Sequence, residues 1–455
     1  MSKISLKILV DKEKNKIVLV EARKDFVDVL FSFLKLQMGT IVRLVKKQSH
    51  QASVCCFSNI YQSVLDLEID NFLTEACKHM LLYPRGFNDH IFPKLKLNIN
   101  DTTEACKFSI CTNCKEGILR SSNRRKCTCG EMTEMGIMTE MGIETKMESD
   151  VVGYDVDGVF FYGQPSFIIT DNMVVQYNST DVFLKVIKDQ GYADVEKLSE
   201  SLIVIGSEEV LALLDCLFSS DTPLTDAFLR KQSSCNMNRL HKTMIHGLQE
   251  SGNETESDLI TFNVVVRKQD KKVIYFEGCE DFVNLLFLVL AVSLEFVLET
   301  SGDNAVHGCI GNLFRSFKEL CCDKNTSLSS MLILPWYYRC QKQLLCYDDM
   351  VLVNFRRVKR PCEQCAINHD SACKGFVKGN MRFRVSDDLI ITPLSSSSTI
   401  GYLKKLQVGL DDVDVQEISI GEVEVNNVIS TSLMTSTVLT TALWNLLVKK
   451  PKEET

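Results

Sequence analysis

Cysteine is the residue type whose spacing in this chain points most directly to chemistry. Cys111 and Cys114 form a Cys-x-x-Cys knuckle, and after twelve intervening residues Cys127 and Cys129 follow as Cys-x-Cys, with Gly130 next. Tetrahedral zinc wants four soft ligands gathered by two tight turns; the knuckle supplies one pair, and the glycine lets the other turn close. The second pair departs from the commoner ribbon spacing, and the competing reading is four unliganded thiols. A later group keeps the knuckle at Cys362 and Cys365 and continues with His369 and Cys373, as Cys-x2-Cys-x3-His-x3-Cys. That is near the spacing of nucleic-acid-binding knuckles but one residue shorter in two gaps, and a lone histidine is as often a surface residue as a ligand. Zinc in either group is expected to be structural, because a closed four-ligand site keeps no position open for substrate.

Other chemistry is thinner. Arg120, Arg124, Arg125 and Lys126 lie beside the first knuckle, and Arg356, Arg357, Lys359 and Arg360 precede the second. A zinc-supported basic loop of this kind holds phosphate in RNA-binding knuckles, yet aromatic residues for base stacking are scarce nearby and a solvated loop is the plainer reading. Met132 to Ile137 is repeated at once as Met138 to Ile143. Thioethers bind Cu(I), but a tandem copy in a loop reads more simply as expansion of a disordered segment. No Gly-x-Gly-x-x-Gly, phosphate loop, Gly-x-Ser-x-Gly elbow or His-Glu-x-x-His occurs, and the seven histidines are scattered. Asp171 and Asp387 each open a turn between apolar runs, where aspartate stabilises the backbone locally.

These groups recur because the chain itself recurs. Asp25-Phe26-Val27-Asp28-Val29-Leu30-Phe31 returns as Asp281-Phe282-Val283-Asn284-Leu285-Leu286-Phe287 at an offset of 256. Cys56, Asn59, Ser63 and Leu67 match Cys309, Asn312, Ser316 and Leu320 at 253, and the two knuckles match at 251. Farther on, Gly163, Phe167 and Asp171 match Gly379, Phe383 and Asp387 at 216; Ile205, Glu209, Leu224, Thr225 and Ala227 match Ile420, Glu424, Leu439, Thr440 and Ala442 at 215. A repeat this long exceeds a solenoid unit and predicts a duplicated domain. The expected division is a first repeat over 1–229 with its cysteine loop near 106–150, a polar linker over 230–257, a second repeat over 258–448 with its cysteine loop near 360–375, and a tail over 449–455.

Within each copy the pattern predicts α+β. Ile4 to Val10 and Ile17 to Val20 read as strands around a polar turn at Lys12 to Asn15. Asp25 or its neighbour is the expected cap of a helix whose core stripe is Phe26, Val29, Leu30, Phe33 and Leu34. A second helix is expected over Val54 to Leu67. Strands at Phe167 to Ile169 and Met173 to Gln176, a helix at Asp181 to Gln190, a strand at Leu202 to Ile205 and a helix at Glu208 to Phe218 complete the copy. The opening order would suit a β-grasp-like start. The longest apolar run, Leu285 to Leu294, is far short of the ~20 residues that cross a bilayer, and predicts a buried helix.

With no apolar leader at Met1 to Lys7, export is not expected, so the nineteen cysteines should be mostly reduced in cytoplasm or nucleus. The pairs Cys55-Cys56 and Cys321-Cys322 then read as core thiols. A net charge of −8 argues against a general nucleic-acid binder.

Laid out in these blocks, the chain resembles the plant family known as domain of unknown function 674. The resemblance rests on Lys7-Ile8-Leu9-Val10-Asp11-Lys12, Glu21-Ala22, Asp25 to Leu34, Gly39-Thr40-Ile41-Val42-Arg43-Leu44 and Thr222-Pro223-Leu224-Thr225-Asp226, and in the second copy on Cys309 to Leu313 and Val385 to Pro393. The second copy departs at Leu294 to Leu298, where the Gly39-Thr40-Ile41 turn has no equivalent. The resemblance covers nearly the whole chain; it implies a plant source and no established activity. The resulting expectation is a non-enzymatic interaction or scaffold protein with one or two structural zinc loops and an unidentified protein partner. A nucleic-acid-binding module and an enzyme of unrecognised kind are the alternatives.

Overall fold

The first strand β1 (Ile4–Asp11) alternates buried Ile4, Leu6 and Ile8 with exposed Ser5 and Lys7, and so puts one face on a core and one toward solvent. It turns through Asn15, held at φ 48°, into β2 (Lys16–Arg23). The computed structural model describes residues 2–48, 54–101, 158–230, 260–301, 308–321 and 376–448, apart from positions 74, 85–88, 90 and 162, together with the backbone of short strands within 108–145 and 331–354. The expected linker lies outside the described residues except for Arg230, as does the tail beyond Val448.

Three more strands complete the first sheet: β3 (Ser166–Thr170), β4 (Val175–Tyr177) and β5 (Leu198–Ile205). Their order is β4-β3-β2-β1-β5, antiparallel throughout. A second sheet is built from β6 (Ile260–Arg267), β7 (Val273–Gly278), β8 (Phe383–Ser386), β9 (Ile391–Pro393) and β10 (Val413–Ile420), in the order β9-β8-β7-β6-β10. The likeness extends to defects. β1 carries a bulge between Leu9 and Val10, and β6 carries one between Val265 and Val266. Left-handed residues stand at Asn15, Met173 and Gly191, and again at Lys271, Leu389 and Gln407.

Helices pack on both faces of the sheets. In chain order they are α1 (Lys24–Lys35), α2 (Met38–Gln48), α3 (Phe57–Asp66), α4 (Glu75–Leu82), α5 (Thr180–Asp189), α6 (Ser207–Ser219), α7 (Glu280–Ala291), α8 (Leu294–Thr300), α9 (Gly308–Cys321), α10 (Ser396–Lys405) and α11 (Glu422–Ser432). One continuous apolar core takes in the inner faces of both sheets and most of these helices. α5 covers the outer face of the first sheet over Val18, Leu19 and Ile168, and α10 lies on the second over Val265 and Tyr275. The molecule is therefore mixed α+β. Among the described residues no helix is long and apolar enough to cross a membrane.

Several local expectations need correction. The N-cap of α1 is Arg23, with no side-chain cap bond; Asp25 sits in the first turn, where its charge suits the positive helix end, and accepts from Lys96 Nζ at 2.7 Å. Gly39-Thr40-Ile41 is not a turn. Leu36 ends α1 in an extended conformation and α2 starts at Met38, because a side chain at Gly39 would meet the Leu81 oxygen at 2.8 Å and the Leu290 oxygen at 3.1 Å; glycine is what lets this helix come so near. The next helix starts at Phe57 rather than Val54, after Cys55 takes a left-handed φ of 45°. The β-grasp likeness ends with the opening hairpin and helix, since β5 returns antiparallel to β1. The methionine-rich repeat pairs with itself, Thr133–Thr139 against Gly142–Thr145, in a six-stranded sheet that also joins Gly117–Leu119 to Met350–Asn354.

Candidate functional site

Cys111, Cys114, Cys127 and Cys129, and likewise Cys362, Cys365, His369 and Cys373, lie outside the residues whose side chains the structure describes; only the backbone of Cys111 is placed, at the end of the strand Phe108–Cys111. Zinc at these groups stays an expectation of the sequence. The described thiols do different work. Cys56 Sγ donates to the Thr435 oxygen at 3.2 Å, Cys55 Sγ to the Leu433 oxygen at 3.1 Å and Cys309 Sγ to the Asp221 oxygen at 3.6 Å. Burial pushes the Cys55 and Cys309 thiols up to about 12, so both stay protonated and unreactive. Cys321 is partly buried at the end of α9, and Cys322 lies outside the described residues.

Those thiols mark a seam at which each half holds the other. Met38 N donates to the Val292 oxygen at 2.8 Å, and the equivalent Leu294 N donates to the Leu36 oxygen at 3.0 Å, so the α1–α2 and α7–α8 corners exchange backbone hydrogen bonds about Gln37 and Ser293. α3 of the first half then reaches the β8–β9 turn of the second. Asn59 Nδ2 donates to the Asp388 oxygen at 2.8 Å, and Ser63 Oγ accepts from Ile391 N at 2.8 Å. The return contacts use the matching residues: Asn312 Nδ2 to the Asn172 oxygen at 2.7 Å, and Val175 N to Ser316 Oγ at 2.9 Å. Aromatic packing repeats the exchange, with Phe31 edge-on to Phe317 at 5.3 Å between centroids and Phe287 stacked on Phe72 at 6.1 Å.

The buried acids serve the same frame. Asp171 accepts from Thr225 N at 3.0 Å and Thr225 Oγ1 at 2.7 Å, while Thr225 Oγ1 accepts from Ile17 N at 2.9 Å. Asp387, Thr440 and Val273 N repeat the chain at 2.8, 2.9 and 2.8 Å. Burial raises both carboxyls, that of Asp387 to about 6, against the lowering effect of their threonine donors. The expectation of a turn role for these aspartates is thus too small: each one ties its β-turn to the first hairpin and to a distant helical segment. Asp28 accepts from Val159 N and Phe160 N at 2.9 and 3.0 Å; in the second half the neutral Asn284 accepts from Phe376 N and Val377 N at 2.7 and 3.2 Å.

One described cluster belongs to the first half alone. Arg43, on α2, is 7% exposed; its Nη1 donates to Asp101 Oδ1, and the guanidinium lies 4.8 Å from the Tyr83 ring, which in turn stacks on His79 at 4.6 Å. Lys47 donates to the other Asp101 oxygen, and Lys46 bonds Gln62 at 2.9 Å while lying 5.4 Å from the Tyr61 ring. Burial alone would lift the Asp101 carboxyl, but the Lys47 and Arg43 bonds outweigh it and hold it below the usual carboxylate range. Burial also pushes the Tyr61 hydroxyl up to about 12.

A family model described as protein of unknown function (DUF674) matches residues 1–423. The chain belongs to that family. No curated protein and no solved structure matches it.

Asn59, Ser63, Asn312 and Ser316, which build this DUF674 seam, and Thr225 and Thr440, which tie segments within each half, all stand at positions that match at the fixed offsets. Recurrence of polar residues on otherwise apolar helices was the available signal for them. Arg43 carried no such signal, because Glu299 occupies the equivalent position.

Proposed function

We propose that this protein is a non-enzymatic interaction scaffold, built from two tandem copies of one α+β unit and carrying segments 106–150 and 360–375 as zinc-held binding arms. The observation that carries this reading is the reciprocal seam. Buried polar side chains are costly unless paired, and here Asn59, Ser63, Asn312, Ser316, Asp171 and Asp387 are each occupied in joining distant segments. A body locked at so many points suits a frame that presents inserts from fixed positions. Both arms leave this frame at matching places, between the seam helices α3 or α9 and the return strands β3 or β8.

In this reading Cys111, Cys114, Cys127 and Cys129 hold one structural zinc, and Cys362, Cys365, His369 and Cys373 a second. The ion would stiffen each arm without chemistry of its own, since four protein ligands close the coordination shell. The protein is intracellular, of plant origin, and recognises a protein partner. The test uses the full chain and a Cys111→Ser/Cys114→Ser variant. Bound zinc is measured by mass spectrometry of the metal, and partners are captured by cross-linking in plant tissue. One zinc fewer together with loss of specific cross-links is expected; unchanged zinc removes the first site. Salt-sensitive binding of single-stranded RNA, read by fluorescence anisotropy, would replace a protein partner with a nucleic acid.

A further inference from the structure

Gln37, which immediately precedes α2, and Thr40 and Arg43 on the helix follow at intervals of three and so lie toward one side of it. Gln37 Oε1, Thr40 Oγ1 and the Nε and Nη2 atoms of Arg43 are all buried without a hydrogen-bond partner. A buried polar group left unpaired is destabilising, and a charged one more so, so such a row calls for an occupant. The Arg43 atoms are informative as a pair. Nε and Nη2 form the side edge of the guanidinium, the fork that donates to two oxygens of one carboxylate or phosphate. The remaining nitrogen, Nη1, is held by Asp101, and the ring of Tyr83 lies over the group, so the plane of the fork is fixed.

We propose that the Nε–Nη2 edge of Arg43 is a binding site for the phosphate group of a small ligand, with Lys46 and Lys47 supplying further positive charge. The nearby carboxylates are Asp101, already bonded to both Arg43 and Lys47, and Asp66, bonded by Gln62. The lysines therefore leave the cluster net positive, which favours a phosphate dianion over a monovalent carboxylate. Tyr83 already contacts Arg43 and His79, so the recognised feature is the anion rather than a stacked ring. Nε and Nη2 are buried in the resting structure, so side chains around this edge must shift to admit the ligand. Tyr83, 45% exposed and just beyond the end of α4, is the exposed aromatic beside the group. In the second half the corresponding residues are Ser293, Phe296 and Glu299, with Gly302 and Asp303 in place of the lysines, so the site is single.

Titration calorimetry of the full chain with inorganic phosphate, at constant ionic strength, tests this directly. One site per chain is expected. Arg43→Lys, which keeps the charge and loses the fork, should weaken binding at least ~10-fold, equivalent to about 1.4 kcal/mol. A Lys46→Gln/Lys47→Gln variant alters only the more exposed cations and should weaken binding several-fold with the fold intact by circular dichroism. Arg267→Lys, in the second half, should bind as the wild type does. Binding that Arg43→Lys leaves unchanged, or heat equalled by chloride at the same ionic strength, overturns the site. If Arg43→Lys fails to fold, wild-type affinity in the lysine double variant overturns it alone.

Discussion

The two halves agree at their points of contact and differ one turn away. Around Gln37 and Ser293 the crossing hydrogen bonds match within a few tenths of an ångström, down to the side-chain donors on α3 and α9. Along the neighbouring helix the likeness ends: α2 carries Gly39, Thr40 and Arg43 where α8 carries Glu295, Phe296 and Glu299. The seam is a two-sided constraint, in which a change in one half must suit a partner in the other. The charged residues toward the end of α2 bond instead to Asp101 and Gln62 of their own half.

Substitution at Gly39 should break this comparison most severely. A Cβ there meets the Leu81 oxygen at 2.8 Å, Pro84 Cγ at 3.0 Å and the Leu290 oxygen at 3.1 Å, two of the three being backbone that cannot swing away. Gly39→Ala is expected to cost about 3 kcal/mol, read from the urea midpoint. Its counterpart Glu295 is buried and ion-paired with Lys35 at 2.6 Å. Glu295→Ala should cost about 2–3 kcal/mol by a different route, since it leaves the Lys35 charge 15% exposed and unpaired. Equal costs that disappear on replacing Lys35 by methionine as well would assign the second effect to the ion pair.

Asp171→Ala and Asp387→Ala come next, at about 2 kcal/mol each, because each orphans two threonine donors in a buried site. Near-equal losses support equivalent ties within the two halves; a loss confined to one half would show that the geometric match hides unequal energetics. These residues also show how much could be read in advance. The strand–turn–strand–helix opening and the helix at Ser207–Ser219 were legible because periodicity is a local property of the chain. The seam was not, since Asn59 and Asp388 are 329 residues apart and nothing in either neighbourhood names the other. α2 was missed because its glycine and β-branched residues imitate a turn, and tertiary contact overrode that propensity. The cysteine groups at 111–129 and 362–373 lie outside the residues whose side chains the structure describes, and are read only as spacing.

A smaller effect with a distinct pH signature is expected at Asp215 on α6, whose counterpart in α11 is Ser430. Burial lifts the Asp215 carboxyl to about 6. Because the folded value lies above the ordinary carboxylate value of about 4, stability at this site is full below pH 4 and is lost as pH rises through 6. Asp215→Asn removes that loss. The variant should match the wild type at pH 4 and exceed it by about 1 kcal/mol at pH 8, the figure being reduced for residual solvent screening. A gain of the same size at both pH values would point to packing instead of charge.

Asp28→Asn is expected to change least and to say most about the pairing of the halves. Asn284 already performs the task in the second copy, its single Oδ1 accepting from Phe376 N and Val377 N, whereas Asp28 divides Val159 N and Phe160 N between its two oxygens. Burial raises the Asp28 carboxyl despite those donors, so charge there is a liability above the ordinary carboxylate range. Loss of one charge-assisted bond and relief of desolvation then oppose each other, and the net change should stay within about 0.5 kcal/mol at pH 7. Asp28→Ala, which orphans both N–H groups, should cost about 2 kcal/mol. Were Asp28→Asn as damaging as Asp28→Ala, the negative charge would be required in the first half alone. The two halves would then share a backbone trap at this position but not the reason for it.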